Sequence, residues 1–444
     1  MKPSSSDSSG TDTGQCVCTV CPLLCDDILI DGDRVDRACV PGREAIGTAI
    51  ASNGVLSGGR LPPEAWENGD PLARGTAIER AAGMLSSARR MLVTGLAGGT
   101  MEAITAACDL AELLGAAVDA GLPESARAAG PTIARAGEVT AAWEELRDRA
   151  DLVVFWNCDP AGSHPRFIER FVAPSLADGR RRRTVAVGSG LVMPDAATHR
   201  YLVLEGDLTV EAARSLQLRI AGRHVPDTVD ERLAAVCTEL HELIHSADCV
   251  AIVTRDGDDP IGLESWSIVH LIRTITHEKR AFQIPLGAGL AEGSANVAGA
   301  ETVCTWRYGA AGGIDRADRL GGSFLPAESD ARRLIDRGEV DAVIVLGRLS
   351  GPLEQAMVDR GDALALVRIC DAPEQLPRPL GQTVQLRCAS GLIATSGTML
   401  REDGRRVVLA PPQSATAPPM LDLLVALTAA VRIAIATPAA GGQA

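Results

Sequence analysis

The feature that most constrains this chain is a cluster of cysteines close to its amino terminus. Five of the twelve cysteines lie within the first 39 residues, and Cys18, Cys21 and Cys25 fall in the segment CTVCPLLC. Thiolates at these spacings can converge from one tight loop, and Cys39 supplies a fourth after a short hairpin. Four convergent thiolates suit either zinc or an iron–sulfur cluster. Zinc ribbons more often use two CxxC pairs, so the unequal spacing favours iron–sulfur.

Two alternatives stay open for this segment. Cys16 lies two residues before Cys18, so Cys16, Cys18, Cys21 and Cys25 also form a set of four close cysteines. The thiols would otherwise be buried and inert, as free cysteines of a protein core often are. We define residues 16–66 as a cysteine-rich head and expect it to bind metal through Cys18, Cys21, Cys25 and Cys39.

The overall charge argues against a nucleic-acid-binding protein. The 444 residues include 43 basic and 57 acidic side chains, which gives a formal net charge of −14. Phosphate binding needs clustered positive charge. The one basic run, Arg180 to Arg183, is expected to be a solvated loop.

Neither an export signal nor a membrane span is expected. Residues 1–15 lack an apolar core and are predicted to be a disordered tail. The most apolar stretch, Met420 to Ala436, is too short to cross a bilayer comfortably and contains Asp422 and Arg432. A cytoplasmic location follows, and because thiols stay reduced there, we expect no disulfide framework.

After the head, apolar runs of four to seven residues alternate with amphipathic stretches of helical period. This alternation predicts an α/β fold with parallel sheets and crossover helices. The predicted units are an α/β domain over 67–225, a second Rossmann-like α/β domain over 226–375, and strands with a final helix over 376–444. Doubly wound sheets bind ligands outside the carboxyl ends of their strands, so two such domains could hold an extended ligand between them. The predicted strands are 91–94, 117–119, 152–156, 184–187, 201–204, 249–254, 281–285, 342–346 and 365–369, and the predicted helices include 100–114, 139–149, 261–277 and 330–337.

Several motifs, taken together, resemble one family. They are the head pattern CxxCxxxCDDI, the turn GLAGGTMEA at 95–103, the loop FWNCDP followed by HPR at 155–166, and the segment GTMLREDG at 397–404. In this order and spacing they resemble the B subunit of formylmethanofuran dehydrogenase, a member of the molybdopterin oxidoreductase superfamily. They are also similar to the B subunit of the bacterial formyltransferase/hydrolase complex. The resemblance implies a molybdopterin-oxidoreductase-like fold, a [4Fe–4S] cluster in the head, and molybdenum or tungsten held by two pterin dinucleotides.

The chain departs from this family where the molybdenum or tungsten would be bound. Ala128 stands where the dehydrogenase has a metal-ligating cysteine or selenocysteine, and Ala129 replaces the adjacent histidine. A methyl group neither ligates a metal nor relays a proton. The family's DPR turn is also missing and reads VGSG over 187–190. These departures argue against a bound molybdopterin and against redox chemistry in this subunit.

The resemblance therefore implies an assembly subunit in one-carbon metabolism. Its partners would be the A, C and D subunits of a formyltransferase/hydrolase complex, which acts on formyl groups carried by methanofuran-like and tetrahydromethanopterin-like carriers. The residues that would remain of a pterin site are Asn157, Asp159, His164, Arg166, Gly397 and Thr398. Otherwise, Asp159 and Arg166 would pair only with each other, and His164 would cap a loop.

Two other interpretations stay open. In a working dehydrogenase subunit another residue would ligate the metal, and Cys158 is the nearby thiol in a strand-end loop. The chain would otherwise be a zinc- or cluster-binding interaction module outside one-carbon metabolism. His241 and His245 have the i, i+4 spacing of metal-binding pairs, but no third ligand lies near them in the sequence, so no metal is expected there.

Overall fold

The structure is a computed structural model that describes most of the chain. The described residues are 14–53, 62–121, 132–133, 135–188, 200–204, 208–226, 230–255, 262–287, 289–290, 295–315, 323–324, 328–348, 351–371 and 380–437. The predicted tail over 1–15 lies outside them except for Gly14 and Gln15, which begin the first strand. None of the helices in these ranges combines the length and apolar character needed to cross a membrane.

The described strands and helices are numbered in chain order. The strands are β1 (Gly14–Cys16), β2 (Ile28–Asp31), β3 (Arg34–Asp36), β4 (Ala65–Glu67), β5 (Asp70–Leu72), β6 (Met91–Thr94), β7 (Ala117–Val118), β8 (Leu152–Trp156), β9 (Arg183–Gly188), β10 (Arg200–Val203), β11 (Cys249–Arg255), β12 (Arg280–Leu286), β13 (Ile314–Asp315), β14 (Ser323–Phe324), β15 (Ala342–Leu346), β16 (Ala365–Cys370), β17 (Gln382–Arg387), β18 (Gly397–Leu400) and β19 (Arg406–Leu409). The helices are α1 (Val40–Asn53), α2 (Arg74–Ser87), α3 (Met101–Leu114), α4 (Trp143–Arg149), α5 (Thr209–Ile220), α6 (Glu231–His245), α7 (Leu263–Thr276), α8 (Val297–Tyr308), α9 (Ala331–Asp336), α10 (Gly351–Arg360) and α11 (Met420–Ala436).

One helix begins later than its apolar pattern predicts. The segment 139–149 was expected to be helical throughout, but α4 begins only at Trp143. Before it, the chain is extended beside β12, where Gln283 N donates to Val139 O at 2.7 Å and Thr140 forms a bridge with Gln283. The carboxylate of Asp403 then accepts a hydrogen bond from Trp143 N at 2.8 Å. Contacts distant in sequence therefore set the start of this helix.

The larger sheet is doubly wound. Its described strands have the order β14-β13-β7-β6-β15-β16-β17-β4-β5, and the central run from β7 to β17 is parallel. Helices α2, α3, α8 and α11 cover one face, and α9 and α10 cover the other. The winding direction changes between β6 and β15. The carboxyl ends of these two strands are therefore the expected ligand crevice of this sheet.

The smaller sheet is parallel throughout its described strands, in the order β10-β9-β8-β11-β12. Helices α5, α6 and α7 pack on one face. The cysteine-rich head packs on the other, together with Trp143 and the aromatic residues Phe167 and Phe171. The winding direction changes between β8 and β11, which places a second expected crevice after Trp156.

The two sheets confirm the predicted α/β class but not a simple division along the chain. The smaller sheet lies within 152–286, whereas the larger sheet takes strands from both sides of that interval. The predicted domain ranges 67–225 and 226–375 therefore do not coincide with the two sheets. Apolar runs identify buried strands, but they carry no information on which strands pair across long separations.

The basic run at 180–183 is not a solvated loop throughout. Arg180 is exposed and pairs with Asp178 and Asp248. Arg182, by contrast, is only 6% exposed. Its guanidinium donates hydrogen bonds to backbone carbonyls near the ends of α4 and of the π-helical turn Ile168–Val172, namely those of Ala150, Pro174, Leu146, Val172 and Arg147. This arginine therefore holds the head-facing segments of the smaller sheet together.

Candidate functional site

The four predicted ligand cysteines converge in the head. Cys18, Cys21 and Cys25 are buried, and Cys39 is half-buried immediately before α1. Cys18 N donates to Cys25 O at 2.9 Å, which closes the loop between them. Burial, together with the nearby Cys25, Cys39 and Cys16, raises the pKa of Cys18 to about 12. Burial also raises the pKa of Cys21, with contributions from Cys25, Cys18 and Cys39. The four sulfurs are thus close enough to influence one another electrostatically.

Gly42 keeps space open between two of these sulfurs. A Cβ atom at this position would lie 3.2 Å from Cys18 Sγ and 3.3 Å from Cys39 Sγ. The Gly42 amide donates to Cys39 Sγ at 3.4 Å. Leu24 adopts a left-handed conformation with φ of 42°, which is uncommon for a residue with a side chain, and bends the loop just before Cys25. The head thus provides room and an amide donor for sulfur ligands.

The predicted metal ligands of the head remain a sequence prediction. In the described ranges, no group of three or more His, Cys, Asp or Glu side chains is arranged to hold a metal ion. His241 and His245 stack at 6.2 Å in α6.

The segment after β8 docks the head onto the smaller sheet. Arg166 makes two 2.8 Å hydrogen bonds to the Asp27 carboxylate and also contacts Glu169, while Arg170 contacts Asp26 at 2.5 Å. The alternative interpretation, in which Asp159 and Arg166 pair only with each other, is therefore wrong. Asp159 Oδ1 instead accepts a hydrogen bond from Ala161 N at 2.9 Å within its own turn. The two arginines act across the junction between head and body.

Asn157 lies at the winding change of the smaller sheet. It directly follows β8, is exposed, and adopts a left-handed conformation with φ of 47°. Its backbone N–H donates to Val187 O at 2.7 Å, which continues the pairing with β9 beyond the strand. Asn157 thus lies just beyond the carboxyl end of a strand, where doubly wound sheets bind their ligands. This agrees with its prediction as a ligand-contacting residue.

His164 is fully buried, and the protein provides partners for both ring nitrogens. Nδ1 lies 3.0 Å from Ser163 Oγ, and Nε2 lies 2.9 Å from Glu402 Oε2. The other oxygen of Glu402 accepts a hydrogen bond from Gly287 N at 2.7 Å, directly after β12. His164 therefore connects the loop after β8 to the hairpin β18–β19, as a loop-capping histidine would.

Gly397 and Thr398 lie at the other winding change, beside the turn after β6. Thr398 N donates to Glu102 Oε2 at 3.0 Å, and a Cβ on Gly397 would lie 2.8 Å from Thr100 Cγ2. Burial acts against ionisation of Glu102, but hydrogen bonds from Thr398 and Thr100 leave its pKa below the usual value. A glycine is needed here because its φ is 150° and the space is already filled.

Asn296 is a site residue that no sequence motif indicates. Its side chain is fully buried, donates from Nδ2 to Gly99 O at 2.8 Å, and accepts at Oδ1 from Leu400 N at 2.9 Å. Its backbone N–H donates to Ala97 O at 3.1 Å. Asn296 thereby joins the turn after β6 to β18. A lone asparagine in a polar loop gives no sequence signal for this role.

The hairpin β18–β19 connects the two crevices. Thr398 contacts the turn of the larger sheet, Glu402 contacts the loops of the smaller sheet, and Glu402 N donates to Pro22 O of the head at 3.3 Å. Arg401 between them is 2% exposed, hydrogen-bonds Glu144 at 2.9 Å and Asp403 at 2.7 Å, and stacks 4.9 Å from the Trp143 ring. The predicted motifs after β8 and at 397–404 are thus brought together by one structural element.

Comparison with known proteins finds relatives of this chain. No protein-family model matches the chain. The B subunit of the tungsten-containing formylmethanofuran dehydrogenase 2 of Methanocaldococcus jannaschii is 26% identical over 360 residues, spanning 76% of this chain and 79% of that protein. The protein of the same name from Methanococcus maripaludis is 25% identical over 427 residues, spanning 89% and 94%. The chain resembles the formylmethanofuran dehydrogenase B subunit. The predicted resemblance is confirmed.

A solved structure shares the fold of this chain. It comes from the formyltransferase/hydrolase complex FhcABCD of Methylorubrum extorquens, determined with methylofuran. The TM-score is 0.68, and the match covers 84% of this chain and all of the other at 19% identity. The match supports the predicted multi-domain α/β fold over most of the length.

Two departures from the B-subunit pattern lie outside the described residues. One is the pair Ala128 and Ala129, and the other is the pair Ser189 and Gly190. The loss of the metal ligand and the loss of the DPR turn therefore remain predictions from the sequence. Cys158, the alternative metal ligand, is fully buried in the core between the smaller sheet and the head. The structure thus places this thiol inside the protein rather than at the open end of a crevice.

We expect the carboxyl group of Glu301 to make the free energy of unfolding of this protein depend on pH. Burial and, to a smaller extent, the negative charges of Glu402 and Glu138 together raise the pKa of Glu301 in α8 to about 7. The folded state therefore holds this proton more tightly than the unfolded chain does. Its stabilising effect is complete below about pH 4.5 and is lost as the pH rises through about 7, by about 2–3 kcal/mol.

Chemical denaturation of the full chain between pH 5 and 8 measures this effect. Glu301→Gln, which stays neutral, is expected to flatten the decline in unfolding free energy over this range. Glu242→Gln on the exposed side of α6 is the matched control and is expected to leave the decline unchanged. Parallel curves for the wild type and Glu301→Gln would contradict the assignment.

Proposed function

We propose that the chain is the B subunit of a formylmethanofuran dehydrogenase-type complex. More specifically, it is the assembly subunit of a bacterial formyltransferase/hydrolase complex in methanofuran- and tetrahydromethanopterin-linked one-carbon metabolism. The observation that carries this proposal is the near full-length similarity to two dehydrogenase B subunits, together with the fold shared with a formyltransferase/hydrolase complex. Its partners would be the A, C and D subunits, and the complex would act in the cytoplasm.

The pairing of the candidate site residues supports an assembly role. Both ring nitrogens of His164 and all three guanidinium nitrogens of Arg166 contact other protein groups. These two residues do not fit a pterin dinucleotide, which would need donors directed at its phosphates. Their contacts instead join the head, the loop after β8 and the hairpin β18–β19. Ala128 supports the same conclusion, since alanine provides no metal ligand.

The head fits a metal–thiolate group better than the body fits a pterin. Cys18, Cys21, Cys25 and Cys39 would hold a [4Fe–4S] cluster in the space that Gly42 leaves open. Such a cluster would supply metal–sulfur bonds that stabilise a small head with little core of its own. In this proposal it has a structural role, because neither formyl transfer nor hydrolysis requires an electron.

Affinity purification of the tagged full chain from its own cells tests the proposal. We expect formyltransferase-like and hydrolase-like chains to co-purify, with formyl transfer and hydrolysis in the eluate and no molybdenum or tungsten in stoichiometric amount by mass spectrometry. A matched purification of an unrelated tagged protein defines the background. A chain that purifies without a formyltransferase-like partner would contradict the proposal and favour the interaction module.

A working dehydrogenase is the second candidate because both curated relatives are subunits of tungsten-containing dehydrogenases. It predicts stoichiometric tungsten or molybdenum and viologen-linked oxidation of formylmethanofuran by the purified complex. Loss of that oxidation in Cys158→Ala, with the complex still assembled, would identify the replacement ligand. Detection of the metal and the oxidation together would end the non-redox proposal.

A further inference from the structure

The last helix, α11, has an apolar stripe that faces outward. Its inner side packs on α2 and α3 through the fully buried residues Leu424, Leu427 and Val431. On its outer side, Val425 and Ile433 are 57% and 68% exposed. A solvated helix face is normally polar or charged, so an exposed apolar stripe of this kind indicates an interaction surface.

The outward stripe also contains the two charged residues of α11. Asp422, Val425, Ala429 and Arg432 follow one another at intervals of three and four residues, so they share one side of the helix. All four are exposed. No ion pair among the described residues includes Asp422 or Arg432. The fold of a single chain therefore leaves both charges available to a partner.

The two charges lie symmetrically about the middle of the stripe. Asp422 and Arg432 are each five residues from position 427, or about 7.5 Å along the helix axis. If a second α11 lies antiparallel to the first with the same centre, Asp422 of each copy faces Arg432 of the other. In that register Val425 of one copy also faces Ala429 of the other. The stripe is thus complementary to itself, as a two-fold symmetric interface requires.

The neighbouring helix leaves room for a second copy. Helix α2 lies in the same layer on the larger sheet, and its exposed side includes Gly83, Ser86 and Ser87. Short side chains at these positions limit the steric obstruction to a helix that lies along α11. Ala429 in the middle of the stripe likewise permits a close approach of two helix axes.

The charge of the stripe is less suited to a membrane surface. Helices that lie on a membrane are rich in lysine and arginine, which contact anionic lipids. The stripe of α11 instead has one acidic and one basic residue, at opposite ends. Charges of opposite sign placed in this way match a copy of the same helix.

We propose that the outward stripe of α11 is a homodimer interface, in which two copies of this chain pair through antiparallel α11 helices. Two Asp422–Arg432 ion pairs set the direction and register, and Val425, Ala429 and Ile433 provide the apolar contact. One helix pair buries less than the about 1,200–2,000 Å² of a stable interface, so we expect a dissociation constant in the micromolar range. Such pairing involves no other subunit and therefore goes beyond the proposed function.

Sedimentation equilibrium of the purified full chain measures the association. We expect a monomer–dimer equilibrium for the wild type. Arg432→Asp and Asp422→Arg should each raise the dissociation constant about tenfold or more, because either reversal places two like-charged pairs in the interface. Far-UV circular dichroism checks that both variants keep the helical content of the wild type.

A mixture of the two charge-reversed variants gives the sharpest test. When an Asp422→Arg copy meets an Arg432→Asp copy, both attractive pairs form again. The mixture should therefore dimerise about as tightly as the wild type, although neither variant pairs well with itself. Copies with different affinity tags report this mixed dimer by pull-down. A change confined to the folding of one chain would not produce such a rescue.

Arg332→Asp is the matched control. Arg332 is an exposed arginine of α9, on the opposite face of the larger sheet, and its reversal should leave the dissociation constant unchanged. Ala429→Arg is a second disrupting variant, which places a long charged side chain at the centre of the stripe. Because Ala429 is exposed, this variant should fold normally and remain monomeric.

Three results would overturn the inference. They are a wild-type chain that stays monomeric at micromolar concentration, a dimer that survives both charge reversals and Ala429→Arg, and a mixture of the reversed variants that does not pair. A monomeric wild type that binds anionic lipid vesicles would assign the stripe to a membrane surface instead. Failure of the proposed function is read separately, because it appears as missing formyltransferase-like partners in the affinity purification.

Discussion

Replacing Arg401 by methionine is expected to lower the free energy of unfolding by about 3–5 kcal/mol. The Arg401 side chain is 3% exposed and lies between Glu144 and Asp403, and the side chain of Asp403 is 2% exposed. Methionine fills a similar volume but leaves the buried Asp403 carboxylate without its arginine, while Glu144 keeps only its contact with Arg405. It also removes the stacking on Trp143. Urea denaturation of the purified chain measures the loss.

Arg405→Met is the matched control for this experiment. Arg405 belongs to the same hairpin and also contacts Glu144, but its side chain is 49% exposed. An exposed ion pair contributes about 0–1 kcal/mol, so this variant should stay close to the wild type. Equal losses in the two variants would show that burial of the Arg401 network contributes little. The difference in unfolding free energy between the two variants therefore measures the contribution of the buried charges, separately from that of the hairpin.

Replacing Arg182 by methionine is expected to cost about 3 kcal/mol or more. The guanidinium donates to carbonyl oxygens of Ala150, Pro174 and Leu146 at 2.8–3.1 Å, and also to those of Val172 and Arg147. Each buried acceptor that loses its donor costs about 1–3 kcal/mol, partly recovered where water can enter. Thermal and urea unfolding of the purified variant measure this cost.

Arg180→Met provides the comparison for Arg182. Arg180 lies two residues earlier and is 53% exposed, with ion pairs to Asp178 and Asp248. Surface ion pairs of this kind contribute about 0–1 kcal/mol. A variant at Arg182 as mild as the one at Arg180 would mean that the carbonyls find other donors. The pair thus tests whether the basic run contains one structural arginine.

Much of the secondary structure was predictable because buried parallel strands form continuous apolar runs. The strands at 91–94, 152–156 and 342–346 have the predicted bounds, and the final helix lies within 376–444 as expected. The clustering of the head cysteines was predictable for a different reason, since their short spacing in the sequence keeps them near one another. Both signals are local in the sequence, and so the pattern alone is sufficient.

The contacts that organise the site were not predictable, because each joins segments far apart in the chain. Arg166 pairs with Asp27 in the head rather than with the nearby Asp159, and Arg401 reaches back to Glu144. Asn296 has no motif around it, although it joins the turn after β6 to β18. Charged residues offer many possible partners, and only the packing of the two sheets selects among them.

The interleaving of the larger sheet has a consequence for synthesis on the ribosome. Strand β6 emerges early and pairs with β7, but its other parallel partner, β15, begins only at Ala342, after the smaller sheet has been completed by β12. The nascent chain must therefore carry an unpaired apolar strand edge while the intervening unit forms. Such edges promote aggregation, and contacts of long sequence separation form slowly. We therefore expect the pairing of β15 with β6, rather than the assembly of the smaller sheet, to be the slow step of folding.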